Sequence, residues 1–272
     1  MIIFISLFFQ DSSFYFLKKQ VDFGPRNPGS TGHKLCEEFI IEKLKSYTDS
    51  VFEQEFEYKN VKFKNIIGIK KGKGEKTLIL GAHYDTRPFA EMETDSQKKN
   101  EPILGANDGA SGVAVLLEIA RVLRKKNLNK NVYFVFFDGE DFGYKDDALL
   151  GSRYFVKNIR TRIDEVIIID MVGDKNLNIS MEGYSQIFSK ELNERIFKIL
   201  KKIDKKSFSD VVKYHILDDH IPFINAGINA IDIIDFDYPY WHTTKDVVEN
   251  CSPESLRKIK KALLIYILKN WR

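Results

Sequence analysis

Apolar runs that end in acidic residues or histidine are the feature that most restricts the fold of this chain. The run TLILGA precedes His83, VYFVFF precedes an acidic segment that contains Glu140, and VIII precedes Asp170. Continuous apolar runs are typical of inner strands that are covered on both faces. Residues 109–123 carry apolar side chains at helical spacing between two of these runs. Strands that alternate with helices predict an α/β fold with a mixed, mostly parallel central sheet sandwiched by helices.

The same patterns place the other elements. The predicted strands are 51–58, 63–69, 77–82, 132–137, 166–169, 177–181 and 230–234. The predicted helices are 30–44, 109–123, 187–203 and 252–268, the last of which opens with a Ser-Pro pair that suits a helix start. Two irregular segments, 86–105 and 142–150, each follow a predicted strand end. Loops in that place line the active-site crevice of open α/β sheets.

Length and composition favour one domain. The chain has 272 residues, no internal repeat and no linker-like segment, so we predict a single catalytic domain over 12–272. Residues 1–11 begin with an apolar run, which is either the remnant of a signal peptide or an apolar segment packed on the fold. No other stretch is apolar enough to predict a stable membrane insertion. A net charge of +3 does not suggest a nucleic-acid partner.

Several cysteines and histidines have ordinary structural interpretations. Cys36 lies on the apolar face of a predicted helix and is expected to be a buried thiol, whereas the redox state of Cys36 and Cys251 stays open. His33 is expected on the surface, and His215 is expected in a strand. His220, in DDHIPF, is expected to orient neighbouring groups by hydrogen bonding rather than to bind metal.

The acids and one histidine point to a metal site. Asp108 lies in GAND before a predicted helix, Asp141 follows a predicted strand in DGED, and His242 follows another in YWHTT. Because the carboxyl ends of parallel strands meet at one edge of a sheet, these side chains are expected to converge. Two carboxylates and an imidazole suit a divalent metal ion.

Each acid also has an alternative interpretation. Asp108 could be only a helix N-cap, but the glycines around it favour a close approach and a ligand role. Asp85 is expected to brace His83 or the metal site rather than to bind the ion. Neighbouring side chains diverge, so of the pair Glu140 and Asp141 one can bind metal while the other acts as acid or base.

The sequence resembles glutaminyl-peptide cyclotransferases and the related two-zinc aminopeptidases over nearly its whole length. The matching blocks are GAHYDTRP, ILGANDGASGVAVLLEIAR, FVFFDGED, LLGSRYF, IIIDMVG, DDHIPF and YWHTTKD. Several blocks in order are far more specific than any single short motif. The resemblance implies zinc as cofactor, peptide or protein N-termini as substrates, and a three-layer α/β/α catalytic domain.

The resemblance also assigns roles to residues. It implies Asp108, Asp141 and His242 as zinc ligands and Glu140 as general acid/base. It further implies a supporting acidic pair, Asp170 and Asp218, hydrogen-bonded to Glu140. An aromatic pocket for the substrate is expected from Trp241, Tyr144 and Phe142.

The chain departs from animal cyclases in two respects. They usually carry glutamate at the position of Asp141, and they carry a disulfide near the metal loop where neither Cys36 nor Cys251 falls. The chain is therefore more similar to the bacterial form. A monomer is expected, and periplasmic or secreted location is favoured while a cytoplasmic one stays open.

The choice between cyclase and aminopeptidase depends on three positions. His83 and Asp170 resemble the ligands of a second zinc, so the two-zinc aminopeptidase stays an alternative with His83 and Asp85 near a second metal. Peptidases of the clan usually have serine where this chain has Asp218. Two close carboxylates resist joint ionisation, so Asp218 would hold Asp170 as a hydrogen-bond partner. Cyclisation of N-terminal glutamine is therefore the favoured function.

Overall fold

The computed structural model describes residues 11–269, so the prediction for the apolar run at the start of the chain lies outside the described residues. The strands are β1 Ser50–Tyr58, β2 Val61–Lys70, β3 Thr77–His83, β4 Asn131–Phe137, β5 Glu165–Asp170, β6 Ile179–Glu182, β7 Phe208–Tyr214 and β8 Ala230–Ile234. The α-helices are α1 Ser13–Asp22, α2 Thr31–Tyr47, α3 Ala110–Leu123, α4 Leu150–Asn158, α5 Gly183–Phe188, α6 Lys190–Ile203, α7 Ile221–Asn225 and α8 Pro253–Leu268.

Six strands form the central sheet in the order β1-β2-β4-β3-β5-β8. Strands β4, β3, β5 and β8 run parallel, whereas β1 and β2 add an antiparallel edge. Strands β6 and β7 pair in parallel as a separate small sheet. The parallel strands end at one edge of the sheet, which brings their carboxyl ends together.

Alternation along the inner strands supplies a core on each face of the sheet. In β3, Leu78 and Leu80 belong to the larger core, which also contains side chains of α1, α2, α3, α6 and α8. Ile79 points to the opposite face, where Phe155 of α4 and Phe223 of α7 complete a smaller core. Successive side chains of a strand point to opposite faces, so one strand serves both layers. The predicted three-layer α/β/α architecture is confirmed.

The prediction of individual elements was less complete. Helices α1, α4 and α7 and strand β7 were missed, and the single helix predicted over 187–203 is divided at Ser189 into α5 and α6. Gly72 and Gly74 predict a hairpin turn after β2, but that loop does not close a hairpin, because β4 lies between β2 and β3 in the sheet. Within residues 11–269, no helix has the length and apolar character needed to cross a membrane.

Candidate metal centre and active site

The carboxyl ends of the sheet bring Asp108, Asp141 and His242 together, as expected. Nε2 of His242 lies 3.5 Å from Oδ2 of Asp108 and 3.3 Å from Oδ1 of Asp141. One ligand atom from each residue falls within 4.8 Å of the others, and all three residues are buried. We call these three residues the primary cluster. Its donor set of two carboxylates and one imidazole suits zinc.

Two further aspartates hold the backbone that carries this cluster. Asp85 accepts hydrogen bonds from the backbone N–H groups of Glu140 and Asp141, at 3.2 and 3.0 Å. Asp246 accepts from the backbone N–H groups of Asn107 and Asp108, at 2.8 and 3.1 Å. Each carboxylate thus ties one ligand-bearing turn to a separate segment of the chain, which limits the freedom of both turns.

Glu91 and Arg87 were not singled out from the sequence, yet they lie beside the cluster. Oε1 of Glu91 lies 2.8 Å from Nδ1 of His242 and 2.9 Å from Nε of Arg87. A carboxylate on the second nitrogen of a metal-binding histidine fixes the orientation of its ring. Arg87 also donates to the carbonyl oxygens of Asp141 and Gly143, and its guanidinium lies 4.1 Å from the ring centroid of Tyr144. Arg87 therefore connects the segment 86–105 to the segment 142–150, and Glu91 connects the first segment to His242.

A second candidate group lies directly beside the first. Nε2 of His83 is 3.2 Å from Oδ1 of Asp108 and 3.2 Å from Oδ1 of Asp170. Glycine at position 109 permits this close packing, because its φ is +87° and a Cβ there would lie 3.2 Å from the His83 ring and 3.0 Å from the Asp85 carbonyl oxygen. The ligand set for a second metal is therefore also present in three dimensions.

The electrostatics of the primary cluster reflect an excess of negative charge. Burial raises the pKa of Asp108 to about 7, and the charge of Asp141 adds to the rise. Burial also acts to raise the pKa of Asp141, but the charge and hydrogen bond of His242 leave it below its usual range. Burial lowers the pKa of His242, yet Asp141 and Glu91 raise it to about 10. A bound cation would compensate the negative charges of Asp108 and Asp141, which otherwise favour a proton at the primary cluster.

The carboxyl group of Glu140 faces the same pocket. Burial raises its pKa well above the usual range, and the charges of Asp141 and Asp218 add to the effect. The expected hydrogen bonds from Glu140 to Asp170 and Asp218 are absent among the described residues, where Glu140 donates only its backbone N–H to Asp85 and accepts only at its carbonyl oxygen. The acids interact through their charges instead. Burial and the Asp170 charge likewise raise the pKa of Asp218.

A pocket of about 270 Å³ opens over the cluster. Its lining includes the three cluster residues, Glu140, Asp170, Asp218, Tyr144 and Trp241. The Trp241 ring stacks on His242 with centroids 4.0 Å apart, while Tyr144 is 57 % exposed at the rim. The expectation for Phe142 was wrong: its ring packs edge-on against Phe63, 5.1 Å between centroids, outside the pocket lining. Neighbouring side chains diverge, so with Asp141 turned to the cluster, Phe142 points away.

Backbone strain is concentrated at the pocket. Leu149, Met171 and His242 line it, and they have φ values of 56°, 46° and 53°. Non-glycine residues in this left-handed region cost on the order of 1–3 kcal/mol each and persist only where the surroundings enforce them. At His242 the hydrogen bond with Glu91 and the stacking of Trp241 supply such surroundings.

An observation independent of the distances also indicates that the primary cluster suits a metal ion. Oδ2 of Asp108 and Oδ2 of Asp141 are buried and accept no hydrogen bond from any described residue. Buried carboxylate oxygens without a donor are costly unless a cation compensates them. Asp108, Asp141 and His242 would therefore supply the ligands.

Two of the other histidines, His33 and His215, differ from their expected positions. His33 was expected on the surface but is buried, with Nε2 2.8 Å from Oδ1 of Asp138 and its ring stacked on Tyr84. His220 hydrogen-bonds to Glu182, in line with an orienting role. His215 lies just after β7 rather than in it. Cys36 and Cys251 are both buried and free, so the buried thiol expected at Cys36 is confirmed.

The model of peptidase family M28 matches residues 65–267, which contain every residue of the primary cluster. The chain belongs to peptidase family M28. The match spans the central sheet from β2 to β8 together with the segments that line the pocket. The family is named for peptidases, but a shared fold does not fix the reaction, so membership alone does not choose between hydrolysis and cyclisation.

Solved structures similar to this M28 chain include enzymes of both kinds. Glutaminyl cyclase from Bacteroides thetaiotaomicron is 36 % identical with a TM-score of 0.90, covering 96 % of this chain and 98 % of that one. A Zn-dependent exopeptidase from Parabacteroides distasonis is 33 % identical with a TM-score of 0.91 and the same coverage, 96 % and 98 %.

A curated relative is also named for the cyclisation reaction. Glutaminyl-peptide cyclotransferase of Boiga dendrophila is 24 % identical over 287 residues, which cover 89 % of this chain and 77 % of that protein. The resemblance to bacterial glutaminyl cyclases within the zinc aminopeptidase clan is thereby confirmed, and a zinc cofactor is supported by the Zn-dependent relative.

Proposed function

We propose that this M28 enzyme is a glutaminyl-peptide cyclotransferase that uses a single zinc ion. The observation that carries the proposal is the position of the Asp218 carboxyl group in the pocket wall with Asp170 and Glu140. Burial and the Asp170 charge raise the pKa of Asp218, which favours a proton held between the two carboxyl groups. A proton shared in this way makes Asp170 less available as a ligand of a second metal.

The reaction joins two ends of one residue and needs no water. A zinc ion held by Asp108, Asp141 and His242 would polarise the γ-carbonyl group of an N-terminal glutamine. The α-amino nitrogen forms a bond to the γ-carbonyl carbon, and the bond from that carbon to the amide nitrogen breaks. Glu140 takes a proton from the attacking amine and returns it to the departing nitrogen, which leaves as ammonia.

The pKa of Glu140 suits this task. A general base is most effective when its pKa lies near the working pH, and burial together with the Asp141 charge raises the Glu140 pKa above that of an ordinary glutamate. Asp170 and Asp218 lie on the same wall of the pocket, where they would orient the leaving nitrogen. The charge of Asp218 also contributes to the raised pKa of Glu140, after burial and the Asp141 charge.

The pocket suits a small substrate side chain. Its volume of about 270 Å³ accommodates one N-terminal residue, with Trp241 as an apolar wall directly beside His242. Tyr144, at the exposed rim and in contact with Arg87, would meet the next residue of the peptide. An apolar wall of this kind excludes water, which would otherwise compete with the α-amine as nucleophile.

A two-zinc aminopeptidase is the second candidate, and one observation favours it. The buried group of His83, Asp108 and Asp170 could hold a second ion beside the first, with Asp108 shared. A second zinc would activate a water molecule and lead to hydrolysis of the peptide bond.

The test is ammonia release from a glutaminyl dipeptide by zinc-loaded enzyme, with mass spectrometry of the product. Cyclisation releases ammonia and leaves the peptide bond intact. Free amino acids would contradict the proposal. The variant His83→Gln separates the candidates further, because a single-zinc cyclase retains its zinc, whereas a two-zinc aminopeptidase loses one equivalent and its hydrolytic activity.

A further inference from the structure

A second group of two carboxylates and one imidazole lies deeper in the protein, behind the pocket wall. Asp218 and His220 come from the turn before α7, and Asp232 lies in the middle of β8. One ligand atom from each falls within 4.8 Å of the others, and each residue is at most 4 % exposed. We call these three residues the inner cluster.

The polar atoms of the inner cluster have no partners to explain their burial. Nδ1 of His220, Oδ2 of Asp218 and both carboxylate oxygens of Asp232 are buried without a hydrogen bond from any described residue. Asp232 and His220 are fully buried. Uncompensated polar atoms of this kind are rare in native proteins, and a cluster of them indicates that a bound ion or added protons compensate their charge.

The histidine of the inner cluster is oriented for metal binding. Its Nε2 lies 3.1 Å from Oε2 of Glu182, a carboxylate that also accepts from the Ser185 N–H and hydroxyl groups. Because Oε2 of Glu182 already acts as an acceptor for both Ser185 groups, Nε2 of His220 is the donor in their contact and carries a ring proton. The lone pair of a neutral His220 is then on Nδ1, the nitrogen without a partner.

The inner cluster thus repeats the design of the primary cluster. Each has two aspartates and one histidine, and in each a glutamate holds the second ring nitrogen, Glu91 for His242 and Glu182 for His220. A carboxylate behind a histidine ligand is a recurring feature of protein zinc sites. Access is available through the pocket, because Asp218 lines it.

We propose that Asp218, His220 and Asp232 form a second, weaker binding site for a divalent transition-metal ion such as Zn²⁺, distinct from both metal groups at the pocket edge. The site has a regulatory consequence that rests on the proposed function. Asp218 cannot serve the acidic pair while it binds a metal ion, so occupancy of the inner cluster inhibits cyclisation.

The direct test is X-ray diffraction from zinc-soaked crystals of the intact enzyme, with data on either side of the zinc absorption edge. The expected result is an anomalous peak between Asp218, His220 and Asp232, in addition to the peak at the primary cluster. If saturating zinc gives no peak at the inner cluster, protons neutralise these carboxyl groups and the proposal is overturned.

Equilibrium dialysis with zinc alone supplies a test in solution. The wild-type enzyme is expected to bind one tight and one weaker equivalent, and Asp232→Asn is expected to lose the weaker one while His83→Gln keeps it. The matched control is Asp235→Asn, because Asp235 is equally buried and directly follows the same strand. Loss of the weaker equivalent in His83→Gln but not in Asp232→Asn overturns the proposal in favour of two adjacent ions.

Activity adds a separate measurement. Excess zinc is expected to inhibit ammonia release by the wild-type and Asp235→Asn enzymes, with an inhibitory concentration at least about tenfold higher in Asp232→Asn (the tenfold shift corresponds to about 1.4 kcal/mol). Equal inhibition of all three contradicts the regulatory consequence. Failure of the cyclase assay leaves the dialysis and diffraction results intact, so the two proposals fail independently.

Discussion

The primary and inner clusters contain the same three ligand types, but they differ in what surrounds them. The primary cluster faces an open pocket, and its residues come from three segments, of which Asp85 and Asp246 hold the turns of Asp141 and Asp108 while Glu91 holds His242. The inner cluster depends on the carboxyl group of Asp232 in the middle of β8, at the edge of the sheet, and is closed except at Asp218. The same three ligand types are therefore insufficient to define a catalytic centre. Access of the substrate to the ligands distinguishes the primary cluster from the inner cluster.

The primary and inner clusters also differ in the charges around them. Arg87 lies beside the primary cluster, 3.7 Å from a carboxylate oxygen of Asp141, and partly offsets its negative charge. In the inner cluster, burial and the charges of Asp218 and Asp170 raise the pKa of Asp232 well above its usual range. Protons therefore compete more strongly with a metal ion at the inner cluster, which is the reason to expect weaker binding there.

Exchange of the two histidines for glutamine sharpens this comparison most. His242→Gln removes a ligand of the primary cluster, and we expect loss of the tight zinc and of all ammonia release. His220→Gln is expected to keep the tight zinc and lose only the weaker one. Metal content after dialysis gives the answer, with thermal unfolding of both variants as the control for folding. Tight zinc in His242→Gln would show that the ligand assignment is wrong.

Removal of the proposed base separates metal binding from catalysis within the pocket. Glu140→Gln preserves the shape of the side chain but cannot take up a proton, so kcat is expected to fall by roughly 10²- to 10⁴-fold. The tight zinc is expected to remain, because Glu140 lies outside the primary cluster. Steady-state kinetics and metal analysis on one preparation test both statements. Loss of zinc would instead identify Glu140 as a ligand.

The glutamate behind His242 allows a finer test. Glu91→Gln weakens the hydrogen bond that orients the ring, and we expect zinc affinity to fall by roughly 10- to 100-fold. Glu93→Gln is the matched control, since Glu93 lies in the same segment but accepts from Thr244 instead of a ligand. Competition with a chelator measures both affinities. Equal affinities in the two variants would mean that Glu91 does not support the metal site.

The sequence surroundings of each site residue explain which of these residues could be predicted from the sequence. Asp141 was recognisable because it stands where an apolar run ends, and Asp108 because it precedes a predicted helix among glycines; strand ends in a parallel sheet meet by geometry. Asp232 was not, because a single polar residue inside an apolar run reads only as part of a strand. Glu91 lies in a charge-rich segment where exposed acids are the rule. His33 was expected on the surface because it lies in a Ser-Thr-Gly-His helix start, and the sequence does not reveal its partner Asp138, which is 105 residues away.

The smallest expected effect concerns the glutamate behind His220. Hydrogen bonds from His220 and Ser185 outweigh the effect of burial and lower the pKa of Glu182 from 4.5 to about 2. A depressed pKa stabilises the fold fully above the unfolded value of 4.5, and this contribution is lost as the pH falls towards 2.

Glu182→Gln removes the titrating group, so the difference in free energy of unfolding between wild type and variant should be constant above pH 5 and shrink at lower pH, about where an unfolded glutamate takes up its proton. Urea unfolding at a series of pH values, with Glu194→Gln on the exposed surface of α6 as control, measures this difference. A difference that stays constant down to the acid limit of folding would mean that Glu182 binds His220 as a neutral acid. Nδ1 would then carry the ring proton, and the inner cluster would lose the lone pair on which its metal site depends.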